Sequence, residues 1–169
     1  MGSPNKKELK LLYKEAIGSF FILETGSGLS TKWLSLAAQK NDALFYSIDV
    51  FPVKDKYENV EYRTGWSCSY EDLVKPGDPD FVYSRYRGVP DEKVVLDGEE
   101  NMWGDKDIMR YIFKETQKYP DFFFCDTGEY CGLSEWNIVK DVMSIGSKIA
   151  LHDIYYPKSI KNFKVAEKI

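Results

Sequence analysis

The sequence predicts a single α/β domain built on a doubly wound, mostly parallel sheet. Short apolar runs alternate with segments of helical periodicity, and such runs fit strands that are buried on both faces. Near the N-terminus, one run is followed by a glycine-rich turn, a helix and a second run that ends in an acid. Units of this kind build parallel sheets. The length of 169 residues is normal for one domain.

Five runs are predicted to be strands, because each is apolar and is bounded by turn residues. They span residues 19–24, 43–48, 60–63, 121–125 and 148–151. Acids stand at or just after the end of four of them: Glu24, Asp49, Asp126 and Asp153. Parallel strands bring their carboxyl ends to one edge of the sheet, which is where doubly wound sheets bind ligands.

Helical spacing of apolar residues predicts four helices between these strands. The first spans 6–17, ends at Gly18 and buries Leu9, Leu12, Tyr13 and Ala16. The second spans 29–40 and is expected to bury Leu29, Trp33, Leu36 and Ala37. The third spans 107–118, with one face formed by Ile108, Tyr111, Ile112 and Glu115. The fourth spans 133–143, and its inward face is expected to contain Trp136, Val139 and Met143.

Residues 65–104 break this pattern with repeated glycines and prolines. An irregular segment of that length is usually functional or carries small structure of its own. Its aromatic residues fit two interpretations equally, the wall of an acceptor pocket or a local cluster: Trp66, Tyr70, Tyr83, Tyr86 and Trp103. The chain is therefore interpreted as one domain, 1–169, with an irregular insertion at about 65–104.

The composition argues against several classes of function. The net charge is −4 and no basic face is concentrated in the chain, so nucleic acid is not an expected partner. The sequence contains no apolar run of membrane-spanning length and no secretory signal, so no membrane partner is expected. The three cysteines lack metal-ligand spacing. Reduced thiols and a cytoplasmic location are the expectation.

The turn from Glu24 to Ser30, with the sequence ETGSGLS, carries the most information about function. Two glycines after a buried strand let the backbone approach a ligand, and the start of the next helix offers unpaired N–H groups. Asp49 ends the following strand about twenty residues later, at the position where an acid usually hydrogen-bonds the hydroxyls of a ribose. The alternative is a tight strand-to-helix turn in which Ser30 caps the helix.

This pattern resembles the class I S-adenosylmethionine-dependent methyltransferases, most closely their small-molecule O-methyltransferase branches. The resemblance covers roughly residues 19–154 and rests on Glu24-x-Gly26-x-Gly28-x-Ser30, Asp49, Asp126 and Asp153. It implies a Rossmann-like fold that binds S-adenosyl-L-methionine. The methionine end would be lined by Glu24, Gly26, Ser27, Gly28 and Ser30, the ribose hydroxyls would bind Asp49, and the adenine would contact Trp66 and Ser67.

The rival interpretation is a nicotinamide-binding turn of the form Gly-x-Gly-x-x-Gly or Gly-x-Gly-x-x-Ala. Its third small residue would stand at position 31, which is Thr31. That small residue lets the helix pack closely on the strand, so a branched threonine argues against nicotinamide binding.

Two strand-end aspartates and the single histidine are the candidates for chemistry. Asp126 and Asp153 could share Mg²⁺ or another divalent cation, and Glu129 or the preceding loop would then have to supply a further ligand. The alternative is that these aspartates cap neighbouring helices. His152 is a candidate general base. Because side chains alternate along a strand, His152 and Asp153 are expected on opposite faces, which favours a supporting or structural role for His152.

The predicted function is methyl transfer from S-adenosyl-L-methionine to a small-molecule acceptor, at oxygen. The alternatives are a non-catalytic or partnered domain that binds this cofactor, and an NAD-dependent oxidoreductase. The family resembled has seven strands in the order 3-2-1-4-5-7-6, whereas five are predicted here. The two C-terminal strands are expected to be lacking, so the fifth strand is expected to be an edge that pairs with another copy, a partner or a missing C-terminal segment.

Overall fold

A computed structural model describes residues 4–73, 105–127 and 131–152. Within these ranges, five parallel strands form one sheet in the order β3-β2-β1-β4-β5. The strands are β1 (Phe21–Thr25), β2 (Leu44–Asp49), β3 (Glu61–Thr64), β4 (Phe122–Cys125) and β5 (Lys148–Leu151). The helices described are α1 (Lys6–Ala16), α2 (Leu29–Asn41), α3 (Ile108–Thr116) and α4 (Gly132–Lys140). The predicted α/β fold with a parallel sheet is confirmed.

The strands β1 and β4 are buried along their whole length because helices cover both faces of the sheet. One face packs β-strand side chains such as Leu23 and Phe123 against α3 and α4. The other face packs Ile22 and Phe122 against α1 and α2. All five residues of β1 and all four of β4 are buried, as expected for strands covered on both sides.

Helix α1 begins where the sequence provides a capping box. The side chain of Asn5 accepts hydrogen bonds from the backbone N–H groups of Lys7 and Glu8, and the Glu8 carboxylate accepts one from the Asn5 N–H. These contacts satisfy backbone groups that the first turn leaves unpaired. Gly18 follows the helix at a φ of +91°, which glycine adopts without strain.

The predicted buried faces of two helices were wrong in part. Leu29 and Leu36 of α2 are exposed. The face that α2 buries consists of Ser30, Thr31, Leu34, Ser35, Ala37 and Ala38. The hydroxyls of Ser30 and Thr31 donate to the buried Glu24, and that of Ser35 donates to Asn59, so hydropathy alone selected the wrong side. In α3, Tyr111 is exposed and the buried residues are Ile108, Met109, Ile112 and Phe113.

Among the described residues, β5 pairs only with β4 and forms one edge of the sheet. The predicted association through this edge remains a prediction. Residues 74–104 of the irregular insertion, and 153–169 after the last strand, lie outside the described residues. No helix in the described part of the chain is long and apolar enough to cross a bilayer.

Candidate ligand-binding site

A cleft of about 360 Å³ opens at the carboxyl ends of the strands, where the sequence placed the site. Its borders come from four places in the chain: the glycine turn after β1, the residues after β2, the segment after β3 and the loop after β4. The cleft includes Gly26, Asp49, Trp66, Ser67 and Asp126. The volume falls in the range of pockets that enclose small ligands. The sheet topology thus brings together residues as far apart in the chain as Gly26 and Cys131.

The glycine turn is held tightly against β2 and β4. The N–H of Gly26 donates to the carbonyl of Ile48 at 2.8 Å. At a φ of +88°, any Cβ on Gly26 would lie 2.4 Å from the carbonyl oxygen of Asp126. This position therefore requires glycine for packing within the protein. Gly28 differs, because its backbone is extended and a Cβ there would meet open space.

Asp49 fastens the turn and also borders the cleft. One carboxylate oxygen accepts a hydrogen bond from the Ser27 N–H at 2.8 Å, and the other accepts one from the Phe51 N–H at 2.8 Å. Each carboxylate oxygen has a second lone pair. Asp49 is therefore fixed in place by the backbone and retains acceptor capacity beside the cleft.

Glu24 and Ser30 do not line the cleft, which corrects the expectation from the sequence. Glu24 is fully buried and accepts hydrogen bonds from the hydroxyls of Ser30, Thr31 and Ser47 at 2.6 to 2.7 Å. Ser30 lies inside α2 and is not its cap; the helix begins after Gly28. The three hydroxyls turn the carboxyl inward, beneath the first turn of α2.

Burial makes Glu24 an unusually weak acid. Desolvation raises its pKa from 4.5 to about 7, although the three hydroxyl donors oppose the shift, and the charge of Asp126 adds to it. Ser47 also bonds Ser27 of the turn, hydroxyl to hydroxyl, at 2.7 Å. Glu24 is thus connected to the cleft through the turn that it supports.

Asp126 and His152 form a pair at the rim. The Nδ1 of His152 lies 2.8 Å from Oδ1 of Asp126, and both side chains are largely buried. Asp126 borders the cleft. The pairing agrees with the predicted supporting role of His152, because it orients the imidazole; a catalytic role for either residue stays a prediction. Asp153 lies outside the described residues.

Ser67 and Trp66 both border the cleft, on the segment that follows β3. The start of this segment is fixed to Asp105, whose carbonyl accepts from the Trp66 N–H at 2.7 Å. Val50 and Phe51 border the cleft as well, and sequence reasoning missed them. A phenylalanine two residues after the acid that ends β2 was the available signal, and in the structure Phe51 is 62% exposed.

Glu135 is the buried acid that sequence reasoning missed altogether. It lies in the first turn of α4 and is fully buried. Its carboxylate accepts hydrogen bonds from the hydroxyls of Thr25, Ser67 and Thr127 and from the thiol of Cys125. The distances to Thr25 and Thr127 are 2.8 and 2.7 Å. A glutamate near a helix N-terminus is ordinarily solvated, so no local pattern predicts this network.

The remaining nucleophile beside the cleft is Cys131. A hydrogen bond with Cys68 and burial together raise the pKa of the Cys131 thiol, which disfavours the reactive thiolate. The described residues contain no cluster of three or more acids, histidines or cysteines placed to hold a metal ion. The predicted cation site includes Asp153 and Glu129, which are outside those residues, and stays a prediction.

Comparisons with known proteins do not assign a family. No protein-family model matches the sequence, and a search of curated proteins finds no significant match.

Proposed function

We propose that the cleft binds S-adenosyl-L-methionine and that the chain transfers its methyl group to an oxygen of a small-molecule acceptor. One observation carries the proposal. Two carboxylates, Asp49 and Asp126, border the cleft, and no lysine or arginine among the described residues does so. This charge pattern favours a ligand with hydroxyls and positive charge and disfavours one with phosphates.

The ribose of the cofactor fits Asp49. Its two oxygens already accept one backbone N–H each, and their remaining lone pairs suit the two adjacent hydroxyls of a ribose. Three apolar side chains next to Asp49 in the chain also border the cleft: Ile48, Val50 and Phe51. They offer the base a surface on which to stack.

The sulfonium and ammonium groups of the cofactor are positively charged, and the carboxylates that border the cleft would attract them. A dinucleotide would instead set its pyrophosphate at the first turn of α2. Glu24 lies beneath that turn and bonds Ser30 and Thr31. Near neutral pH a substantial fraction of Glu24 is ionised, given its pKa of about 7, and that charge opposes a phosphate. Thr31 also fills the position where close packing needs a small residue.

The Asp126–His152 pair supplies a base for the acceptor. With Nδ1–H donated to Asp126, the other ring nitrogen, Nε2, is the basic one. His152 would take the proton of the acceptor hydroxyl as the acceptor oxygen forms its bond to the methyl carbon. The cofactor supplies the electrophilic methyl group, and the electrons of the broken carbon–sulfur bond remain on sulfur. Holding the two reactants in line supplies much of the rate.

Titration calorimetry with S-adenosylhomocysteine and NAD tests the binding part of this proposal. We expect the wild type to bind S-adenosylhomocysteine and not NAD. Asp49→Asn keeps the shape of the side chain but loses its charge and replaces one of its two acceptor oxygens with a donor. Affinity should fall by about 10- to 100-fold, the range for a hydrogen bond to a charged group. The control is Asp55→Asn, the same change at an exposed residue outside the cleft.

The same titrations separate the alternatives. NAD binding with no response to S-adenosylhomocysteine would contradict the proposal and favour an oxidoreductase. Cofactor binding without methyl transfer to any member of a panel of hydroxylic acceptors would indicate a non-catalytic binding domain.

A further inference from the structure

The buried carboxylate of Glu135 connects the strand ends that surround the cleft. Thr25 ends β1, Cys125 ends β4, and Ser67 and Thr127 belong to the segments that follow β3 and β4. All four donate to this one side chain. No described contact pairs Glu135 with a lysine, arginine or histidine. Its carboxylate is therefore satisfied by hydroxyl and thiol donors.

Two of these donors are part of the cleft wall. Ser67 and Thr127 both border the cleft, whereas Glu135 stands behind them. A hydroxyl has a single proton and two lone pairs. In both contacts the hydroxyl is the donor and the Glu135 carboxylate is the acceptor. Ser67 and Thr127 therefore give their protons to Glu135, and only lone pairs remain on their oxygens for a ligand.

We infer that Glu135 is a positioning residue that sets the hydrogen-bond polarity of the cleft wall, so that Ser67 and Thr127 select ligand groups that donate. This inference rests on the proposed function. The 6-amino group of adenine is such a donor, and Ser67 lies in the segment predicted to contact the adenine. The 6-oxo group of hypoxanthine is a hydrogen-bond acceptor, so it cannot bond a hydroxyl that presents only lone pairs. A site built for one polarity rejects the other, because buried polar groups are then left unpaired.

The test compares S-adenosylhomocysteine with S-inosylhomocysteine, which differ only in that base. The measured quantity is the ratio of their dissociation constants. Glu135→Gln retains the shape of the side chain but adds an amide that donates, so one wall hydroxyl is free to turn its proton toward the cleft. We expect the wild type to prefer the adenosyl ligand and the ratio to fall about tenfold in Glu135→Gln, as one hydrogen bond changes polarity.

Asp121→Asn is the matched control. Asp121 connects β1 and β4 at the opposite end of the sheet, where its carboxylate accepts from the Phe20 and Phe21 N–H groups. This variant should lose stability and keep the wild-type ratio. A Glu135→Gln protein that loses affinity for both ligands equally, or for neither, would overturn the inference, because a merely structural role changes no preference.

A second readout keeps this inference separate from the proposed function. If the wild type binds neither ligand, the proposed function is wrong. Amide hydrogen exchange without ligand then decides whether Glu135 positions the wall. Faster exchange at residues 66–68 and 126–127 in Glu135→Gln than in Asp121→Asn supports positioning, and equal exchange overturns it.

Discussion

Gly26→Ala is expected to destabilise the protein by about 2–4 kcal/mol. The φ of +88° at Gly26 costs an L-residue about 1–2 kcal/mol, partly offset by about 0.4–1 kcal/mol from the less flexible unfolded chain. The new Cβ would also lie 2.4 Å from the carbonyl oxygen and 3.0 Å from the carbonyl carbon of Asp126. Those are backbone atoms, so β1 and β4 must move apart, and overpacking of this kind typically costs about 1–3 kcal/mol.

Gly18→Ala isolates the part of this cost that is due to backbone conformation. Gly18 has nearly the same φ, +91°, but a Cβ there has no neighbour within 4 Å. Its destabilisation should therefore be about 1 kcal/mol or less. Urea unfolding followed by tryptophan fluorescence gives both free energies. Equal losses in the two variants would refute the claim that contact with Asp126 makes glycine necessary at position 26.

The other predictions concern the titratable groups at the site. Between pH 4.5 and about 7 the folded protein holds a proton on Glu24 that the unfolded chain has lost, so this group's contribution to stability falls by about 3 kcal/mol as the pH rises through that window. The urea midpoint should fall less across this pH window in Glu24→Gln than in the wild type. An equal fall in both proteins would contradict the raised pKa of Glu24. His152→Gln should lower the methyl-transfer rate by about 10²- to 10⁴-fold with little change in cofactor affinity; an unchanged rate would exclude His152 as the base. If Asp126 and Asp153 share a cation, a chelator should abolish activity and Mg²⁺ or Mn²⁺ should restore it, whereas indifference to chelator would leave Asp126 as the partner of His152 alone.

The strands were predictable from sequence because both faces of the sheet are covered. Runs such as Phe122–Cys125 are apolar at every position, which is typical of a strand buried on both faces. The cleft was also predictable in outline, since parallel topology brings Gly26, Asp49 and Asp126 to one edge regardless of the residues between them.

The buried polar residues were not predictable. The inward face of α2 contains Ser30 and Thr31, and these are buried because Glu24 accepts their hydrogen bonds. Hydropathy periodicity assigns serine and threonine to the exposed face of a helix, so it cannot predict that they are buried. Glu135 meets Ser67 and Thr25 across 68 and 110 residues of chain, so no local pattern marks it. Polar networks of this kind emerge only when the fold brings their members together.

A crystal structure with S-adenosylhomocysteine would show whether the cleft is the cofactor site. We expect both ribose hydroxyls within hydrogen-bond distance of Asp49, with the thioether sulfur in the cleft on the side of Asp126. A ligand bound outside the cleft, or crystals that remain free of ligand at saturating concentration, would contradict it.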